Sequence, residues 1–301
     1  MSDETPARRA EFVTRFFALI THHPSPITHH SLPITQYFQL MSDTILYSVV
    51  DGVATITLNR PQVMNALDAE MIRQLREAAE RVEHDAAVRA VVIRGEGAAF
   101  LAGGDVAMFH ANLPDMPALV REGATELHRA ILALRRTPRP VLASVHGAVA
   151  GAGVSLMAAA DLAIAAEDTK FTMAYSRLGT SPDGGATWAL PRLVGYRKAL
   201  ELMLLSEPFD AQTALRLGLV NWVVSAGRLA AETASIARRL AQGATIAYSE
   251  IKRLANQSYD QSLAAQLEAE REAFARCAAT RDFAEGVTAF VEKRKPLFKG
   301  E

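Results

Sequence analysis

The sequence predicts an α/β fold in which crossover helices connect the strands of a largely parallel sheet. Short apolar runs alternate along the chain with helical patterns, and Gly or Pro stands at their ends. With 301 residues, of which 50% are hydrophobic and 22% are charged, the chain has enough material for a large core. Regular alternation of strand and helix is typical of parallel βαβ units.

A hairpin and a helix are the first predicted elements. Two strand-like runs, residues 47–50 and 53–58, flank Asp51-Gly52, which is a two-residue hairpin signal. Asp68 can cap the helix that follows. The apolar face of this helix consists of Met71, Leu75, Ala78 or Ala79, and Val82.

Buried strands and a second helix come next. Residues 90–93 form an apolar run, as expected of a strand that is covered on both faces. The second helix stops before Pro138, because proline interrupts helical hydrogen bonding. Residues 141–145 and 162–165 predict two further buried strands. The core positions of the second helix are Leu127, Ile131 and Leu134.

After Pro191 the strand signals fade, and residues 197–295 predict helices alone. The amphipathic helix near residues 261–277 could cover the sheet or pack on another subunit.

Residues 1–40 are rich in His and Pro and predict a disordered extension. We therefore expect three parts, an extension at 1–40, a core at 41–240 and a helical region at 241–301, with Met41 as a candidate for the native start.

Composition disfavours several classes of function. Lys and Arg total 32 against 33 Asp and Glu, a net charge of −1, so no overall field favours nucleic acid or an anionic membrane. Residues 141–160 carry no charge, but their Gly and Ala content favours a buried strand, turn and helix over a membrane span. The single Cys277 favours a cytoplasmic protein. No metal site is expected, because the clustered His residues lack ligand spacing.

Two Gly-rich segments follow predicted strands: Ala-Gly-Gly-Asp at residues 102–105 and Gly-Ala-Val-Ala-Gly-Ala-Gly at residues 147–153. Taken singly, each is most simply a turn. The second segment precedes a helix, so its backbone N–H groups could also hold an anion. It lacks the third Gly of a dinucleotide fingerprint and the Lys of a P-loop, which disfavours a nucleotide cofactor.

Together these segments resemble the crotonase family, also called the enoyl-CoA hydratase/isomerase superfamily. The resemblance runs from about residue 45 to the C-terminus. It implies a spiral of ββα units with a helical C-terminal region that assembles a homotrimer or a dimer of trimers. The motifs that carry it, in order, are Leu-Asn-Arg-Pro at 58–61, Asn-Ala-Leu at 65–67, the two Gly-rich segments, Glu-Gly at 285–286 and Phe-Val-Glu-Lys-Arg at 290–294.

The resemblance also implies an acyl-CoA substrate, whose thioester oxygen accepts hydrogen bonds from the backbone N–H groups of Gly104 and Ala152. Such donors stabilise the enolate that forms when a proton leaves the neighbouring carbon. CoA is then part of the substrate, and no separate cofactor is expected. The residues expected to bind CoA or substrate are Gln62, Val63, Met64, Ala102, Tyr175, Phe290 and Lys293.

Hydratases of this superfamily use two glutamates to handle a water, and here those positions hold Ser155 and Tyr175. Neither hydroxyl can replace a carboxylate base. The sequence therefore disfavours two-glutamate hydration.

Asp183 is the remaining candidate acid/base. Without the resemblance, Pro-Asp-Gly-Gly at 182–185 is a turn signature, and Asp183 could also cap a helix that begins near Ala186. Residues 173–179 and 182–185 resemble the branch that includes epoxyphenylacetyl-CoA isomerases and enoyl-CoA isomerases, in which this Asp is the acid/base. One carboxylate suffices to move a proton from the α-carbon to the γ-carbon, which shifts a β,γ double bond to α,β.

Two alternatives stay open. Asp183 could instead be the nucleophile of an aryl- or acyl-CoA hydrolase or dehalogenase, as in a relative of this superfamily. The chain could also be a non-catalytic acyl-CoA binding subunit, since both glutamates are absent. We interpret His146, Asp105 and Asp161 as structural residues that hydrogen-bond near turns and helix ends.

Overall fold

The structure of this protein is a computed structural model that describes residues 43–301. The predictions about residues 1–40 and about Met41 lie outside the described residues. The division of the chain into three parts accordingly stays a prediction.

Strands and helices alternate through the first two thirds of the described chain, and helices follow. The strands are β1 (Ile45–Val50), β2 (Val53–Leu58), β3 (Ala90–Gly95), β4 (Val141–Val145), β5 (Ala148–Ala150), β6 (Leu162–Ala166), β7 (Lys170–Thr172), β8 (Phe209–Asp210) and β9 (Trp222–Val224). The helices are α1 (Ala69–His84), α2 (Val106–Ala111), α3 (Met116–Arg136), α4 (Ala152–Ala159), α5 (Ala186–Val194), α6 (Tyr196–Leu205), α7 (Ala211–Arg216), α8 (Leu229–Ala241), α9 (Thr245–Gln257), α10 (Leu263–Ala278) and α11 (Arg281–Val291).

The main sheet has six strands in the order β1-β2-β3-β4-β6-β9. The predicted hairpin is confirmed, because β1 pairs antiparallel with β2 through the Asp51-Gly52 turn, and the other pairs are parallel. A second sheet has the order β5-β7-β8. Asp68 caps α1 by accepting a hydrogen bond from the Met71 backbone N–H, as predicted.

The middle strands of the main sheet are covered on both faces. Val91 and Ile93 of β3 pack into the larger core, with the apolar faces of α1 and α3, whereas Val92 faces the smaller core beneath α8. This alternation follows from the two-residue period of a strand. On the second face, Ser144 and Thr233 of α8 share a buried hydrogen bond of 2.8 Å.

The prediction that residues 197–295 are entirely helical is wrong at two places. β8 pairs with β7, and β9 pairs with β6 at the edge of the main sheet. These strands have two and three residues. Segments of this length are too short to show an alternation of apolar and polar residues. Pairing with the neighbouring strand determines that they are strands.

The chain ends in the helices α9, α10 and α11 and a short tail that folds back on Asp282. This buried carboxylate accepts hydrogen bonds from the backbone N–H groups of Lys299 and Gly300, at 2.7 and 2.8 Å. None of the helices within residues 43–301 is long and apolar enough to cross a membrane.

Candidate active site

The first Gly-rich turn lies beside the loop that carries Leu67. The backbone N–H of Leu67 donates to the Gly103 carbonyl at 2.8 Å, and the Asp105 N–H donates to the Leu67 carbonyl at 3.0 Å. The carbonyl and the N–H of one trans peptide unit point in opposite directions. The Gly104 N–H therefore points away from Leu67.

The second Gly-rich turn opens helix α4. Gly151 has a φ of +50°, a left-handed backbone that suits glycine, and its carbonyl accepts the N–H groups of Val154 and Ser155. The N–H of Ala152 consequently points out of the helix, at the positive end of its dipole. α4 is buried along its whole length, so its direction is fixed.

The two turns are held side by side by backbone pairing. Leu101 donates to the Ala148 carbonyl at 3.2 Å and accepts the Ala150 N–H at 2.9 Å. A Cβ added to Gly151 would lie 3.7 Å from the Gly103 Cα, so the turns are in contact. Within residues 43–301, neither Gly104 nor Ala152 donates its N–H to another group. The fold thus presents two unused backbone donors on neighbouring turns.

The side chain of Asn65 fixes the loop before the first Gly-rich turn by hydrogen bonds to the backbone. It is fully buried, with a φ of +58°. Its Oδ1 accepts the Arg60 N–H at 2.8 Å, and its Nδ2 donates to the carbonyls of Glu96 and Ala99 at 2.9 and 2.8 Å. The sequence motif contained Asn65, but only the contacts identify its role in fixing the loop before Gly103.

The carboxylate of Asp183 lies in a small hydrogen-bonded cluster with Tyr175 and Ser155. The Tyr175 hydroxyl donates to Oδ1 of Asp183 at 2.6 Å. The Ser155 hydroxyl donates to the backbone carbonyl of Asp183 at 2.9 Å and lies 3.1 Å from the Tyr175 hydroxyl. The two positions at which the sequence is expected to differ from hydratases thus both contact Asp183.

Proton counting decides how this cluster is connected. The hydroxyls of Ser155 and Tyr175 have one proton each, but the cluster has three contacts. The two contacts to Asp183 are shorter than the contact between the hydroxyls, so both protons are assigned to Asp183. Oδ1 is therefore occupied by the phenol, whereas Oδ2 accepts no hydrogen bond from the described part of the chain. Asp183 does not cap helix α5, whose N-cap is Gly185.

Tyr175 stays a neutral donor in this setting. Burial raises the pKa of its phenol well above the usual range, and the negative charge of Asp183 raises it further. The ring also reaches the second Gly-rich turn, because its Cε2 is 3.9 Å from the position of a Cβ on Gly151. Tyr175 thus links the carboxylate to the turn that carries Ala152.

Two neighbours fix the loop after Asp183. Gly184 has a φ of +59°, and a Cβ there would lie 2.9 Å from the Ser155 Cβ. Its N–H donates to Nε2 of His128 on α3 at 3.3 Å. The sequence offered no signal for His128, because its partner is 56 residues away.

Apart from Tyr175, the residues predicted to bind CoA or substrate fall into two groups. Gln62 and Val63 belong to the short 3-10 turn Pro61–Val63, and the next residue, Met64, accepts the Ala102 N–H at 3.1 Å. This group is therefore joined to the first Gly-rich turn. Phe290 and Lys293 lie instead at the end of α11, where the Phe290 side chain is 86% exposed.

The three polar residues interpreted as structural have local partners. His146 Nε2 is 2.8 Å from the Gly97 carbonyl oxygen. Asp105 caps α2, and Asp161 accepts the Val141 N–H and the Lys252 ammonium, both at 2.8 Å. Across residues 43–301 there is no group of three or more His, Cys, Asp and Glu that could hold a metal ion.

The fold and the site define a class of protein: an α/β domain with two unused backbone donors on adjacent turns, beside one carboxylate. Comparisons agree with this class. The family model described as "Enoyl-CoA hydratase/isomerase" matches residues 49–301. The chain belongs to the enoyl-CoA hydratase/isomerase family, whose members act on acyl-CoA thioesters, and it has the crotonase fold.

The names of relatives in this family include both hydratases and isomerases. The chain is 40% identical to a protein of Rhodobacter capsulatus named "Probable enoyl-CoA hydratase", over 85% of this chain and 98% of that protein. It is 37% identical to the 1,2-epoxyphenylacetyl-CoA isomerase of Escherichia coli, over 87% of this chain and 100% of that protein. The structure of an enoyl-CoA hydratase from Polaromonas is similar, with a TM-score of 0.81 and 38% identity, over 85% of this chain and 99% of that one.

Proposed function

We propose that this enzyme is an acyl-CoA isomerase that shifts a β,γ double bond to the α,β position. The observation that carries the proposal is the single carboxylate in the Ser155–Tyr175–Asp183 cluster, with one oxygen held by Tyr175 and the other open. Two-glutamate hydration needs a second carboxylate to handle water. The hydroxyls at the two substituted positions contact Asp183 instead.

In the first step, Oδ2 of Asp183 removes a proton from the α-carbon of the thioester. The electron pair moves to the carbonyl oxygen, which gains negative charge as the dienolate forms. The N–H groups of Gly104 and Ala152 are then the oxyanion hole, and each donor of this kind contributes roughly 3 kcal/mol to the transition state. Because both are backbone groups in hydrogen-bonded turns, they need no reorganisation during the reaction.

In the second step, the same Oδ2 returns the proton to the γ-carbon, and the electron pair forms the α,β double bond. Tyr175 keeps its hydrogen bond to Oδ1 in both steps. The carboxyl group therefore cannot rotate to exchange its two oxygens, and Oδ2 carries the proton throughout. The net reaction moves one proton and consumes no water. It needs no cofactor beyond the CoA of the substrate.

The remaining parts of the proposal concern CoA and assembly. Gln62, Val63, Met64 and Ala102 bind the adenine end of CoA beside the first turn, and Lys293 approaches its phosphates. Phe290 lies on a face of α11 with several exposed apolar side chains, and Lys293 follows the end of this helix. Such a face suits a homotrimer or a dimer of trimers in the cytoplasm. The exposed apolar residues of α10 and α11 include Phe274, Phe283, Val287, Phe290 and Val291.

The test is the variant Asp183→Asn, whose amide oxygen can still accept the Tyr175 hydroxyl. Purified protein is mixed with β,γ-unsaturated aliphatic and ring-containing acyl-CoAs, and the ultraviolet absorbance of the conjugated thioester is followed. We expect wild-type turnover and a loss of about 10²- to 10⁴-fold in the variant. Asp51→Asn is the matched control, because Asn also suits the first position of that exposed hairpin turn.

Two results would contradict the proposal. Retained turnover in a correctly folded Asp183→Asn protein would remove Asp183 from the acid/base role. Formation of 3-hydroxyacyl-CoA from an α,β-unsaturated thioester at a higher rate than double-bond migration would assign the enzyme to the hydratases.

A further inference from the structure

A cavity of about 590 Å³ lies directly behind the loop of Asp183, between helices α3, α4, α5 and α9. Ser155 and Gly184 form part of its wall. Both residues also belong to the candidate site, since Ser155 donates to the Asp183 carbonyl and Gly184 follows Asp183 in the chain. The cavity therefore adjoins the loop that carries Asp183.

The wall of this cavity has an unusual charge balance for a protein of net charge −1. Four basic residues line it, Arg135, Arg136, Lys252 and Arg253, and no Asp or Glu of residues 43–301 does. The rest of the wall is largely apolar or small, including Ile131, Leu132, Ala158 and Ala159. It thus combines an apolar passage with basic side chains.

Three of the four basic residues are already paired with carboxylates outside the wall. Arg136 pairs with Glu83 at 3.4 Å, Lys252 with Asp161 at 2.8 Å, and Arg253 with Glu250 at 2.7 Å.

Arg135 is the exception. In the part of the chain that the structure describes, no carboxylate oxygen lies within ion-pair distance of its guanidinium. Its side-chain hydrogen bond among these described residues goes to the Oδ1 of Asn256, and its Cζ lies 5.0 Å from the centre of the Trp188 ring.

The Arg135 guanidinium has no close ion pair among residues 43–301, although the more distant negative charge of Asp161 acts on it. Arg135 is half-buried, and burial lowers its pKa, although the group stays protonated because the reference value is so high. A desolvated cation is stabilised when an anion completes its hydrogen bonds, and the planar guanidinium matches a carboxylate with two parallel bonds. Arg135 has unused N–H donors for this purpose.

The distance along α3 between His128 and Arg135 indicates the length of a ligand that could span the cavity. His128 contacts Gly184 at the level of Asp183, and Arg135 is seven residues further along the same helix. At a rise of 1.5 Å per residue, the separation along the axis is about 10 Å. An acyl chain that starts beside Asp183 could reach Arg135 with its distal end.

We propose that this cavity receives the distal end of the acyl chain and that Arg135 recognises a terminal carboxylate there, so that the substrates are ω-carboxyacyl-CoA thioesters. The inference rests on the proposed function for the direction of the chain, and it names the substrate class of the same site. Ile131 and Leu132 contact the methylene groups, and Asn256 and Trp188 hold the guanidinium in place.

Binding can be measured without turnover, which separates this inference from the proposed reaction. Calorimetry compares two saturated acyl-CoAs of equal chain length, one ending in a methyl group and one in a carboxylate, over a series of lengths. We expect the carboxylate end to bind about tenfold or more tightly at lengths that span the cavity. Equal affinity for the two ends at all lengths in the wild-type protein would overturn the proposal.

Variants assign the preference to Arg135. We expect Arg135→Gln to abolish the preference and Arg135→Lys, which keeps the charge without the planar fork, to retain part of it. The matched control is Arg129→Gln on the same helix, because Arg129 is exposed, pairs with Glu126 and does not line the cavity. A preference that survives in a folded Arg135→Gln protein would overturn the assignment.

The two proposals fail differently. If no β,γ-unsaturated thioester is converted but the preference for a carboxylate end depends on Arg135, the isomerase proposal fails and the binding proposal stands. If conversion depends on Asp183 but methyl-ended and carboxylate-ended chains bind equally well, the isomerase proposal stands and the binding proposal fails.

Discussion

The Tyr175 hydroxyl donates a hydrogen bond of 2.6 Å to Oδ1 of Asp183 and leaves Oδ2 open. The two residues are eight positions apart, and a short 3-10 turn, Tyr175–Leu178, brings the phenol back towards the loop. The phenol therefore occupies one of the two carboxylate oxygens of Asp183. This contact also gives the largely buried Tyr175 hydroxyl a hydrogen-bond partner.

Tyr175→Phe removes the donor and keeps the ring. Because hydrogen bonds to charged groups contribute roughly 1.5–3 kcal/mol, we expect kcat for double-bond migration to fall about ten- to a hundredfold, with little change in KM. Steady-state kinetics on a β,γ-unsaturated acyl-CoA checks this. Tyr196→Phe is the control, since that tyrosine is 69% exposed. A variant with wild-type kcat would show that Tyr175 does not orient Asp183.

Gly184→Ala tests the close packing behind Asp183. The added Cβ would lie 2.9 Å from the Ser155 Cβ, and the backbone has a φ of +59°. Gly179→Ala is a matched control, because Gly179 has a φ of +72° and nothing within 4 Å of the added atom. The control loses about 1–2 kcal/mol of unfolding free energy from the backbone alone.

We expect Gly184→Ala to lose about 1–3 kcal/mol more than the control, since the packed loop must shift. Urea unfolding of both variants measures the difference. Equal losses would mean that Ser155 yields easily and that Gly184 is needed only for its backbone angle.

Asn65→Ala leaves several buried backbone groups without a partner. The side chain serves the Arg60 N–H and the carbonyls of Glu96 and Ala99. We expect a loss of about 3 kcal/mol in unfolding free energy, measured by chemical denaturation. Asn59→Ala is the control, because its one side-chain bond within residues 43–301, to the Asp43 carbonyl, is exposed and contributes less than about 1 kcal/mol. Similar losses in the two variants would contradict this role for Asn65.

Glu250 makes the contact between α9 and α10 sensitive to acid. Its carboxylate accepts hydrogen bonds from Arg276 and Arg253, which lower the pKa of Glu250 from 4.5 to about 2. A pKa lowered in the folded state gives stability that is present above pH 4.5 and is lost as the pH falls towards 2.

We expect Glu250→Gln to lower Tm by a few degrees at pH 7, equivalent to about 1 kcal/mol after solvent screening, and to lose this difference as the pH falls below 4.5. Thermal melts across pH check the prediction. Glu122→Gln is the control, an exposed carboxylate with no ion pair to the residues that the structure describes. A difference that persists unchanged at low pH would assign the effect to packing rather than charge.

Local patterns in the sequence predicted the elements whose signals lie within a few residues. The Asp51-Gly52 turn, the Asp68 cap and the apolar face of α1 follow from backbone preferences and helical periodicity. The motifs around Gly104, Ala152 and Asp183 were likewise recognisable in order along the chain, and they led to the family to which the chain belongs. The edge strands β8 and β9 were not, because two or three residues carry no period.

The sequence by itself determined the α/β class, the Gly-rich turns and the family to which the chain belongs. Only the tertiary structure decided that Tyr175 holds one oxygen of Asp183, that His128 supports the next residue, and that Arg135 has no carboxylate partner among residues 43–301. These relationships join segments that are far apart in the chain or differ in orientation. Local preferences act over one turn of helix or strand, whereas such contacts depend on how whole elements pack.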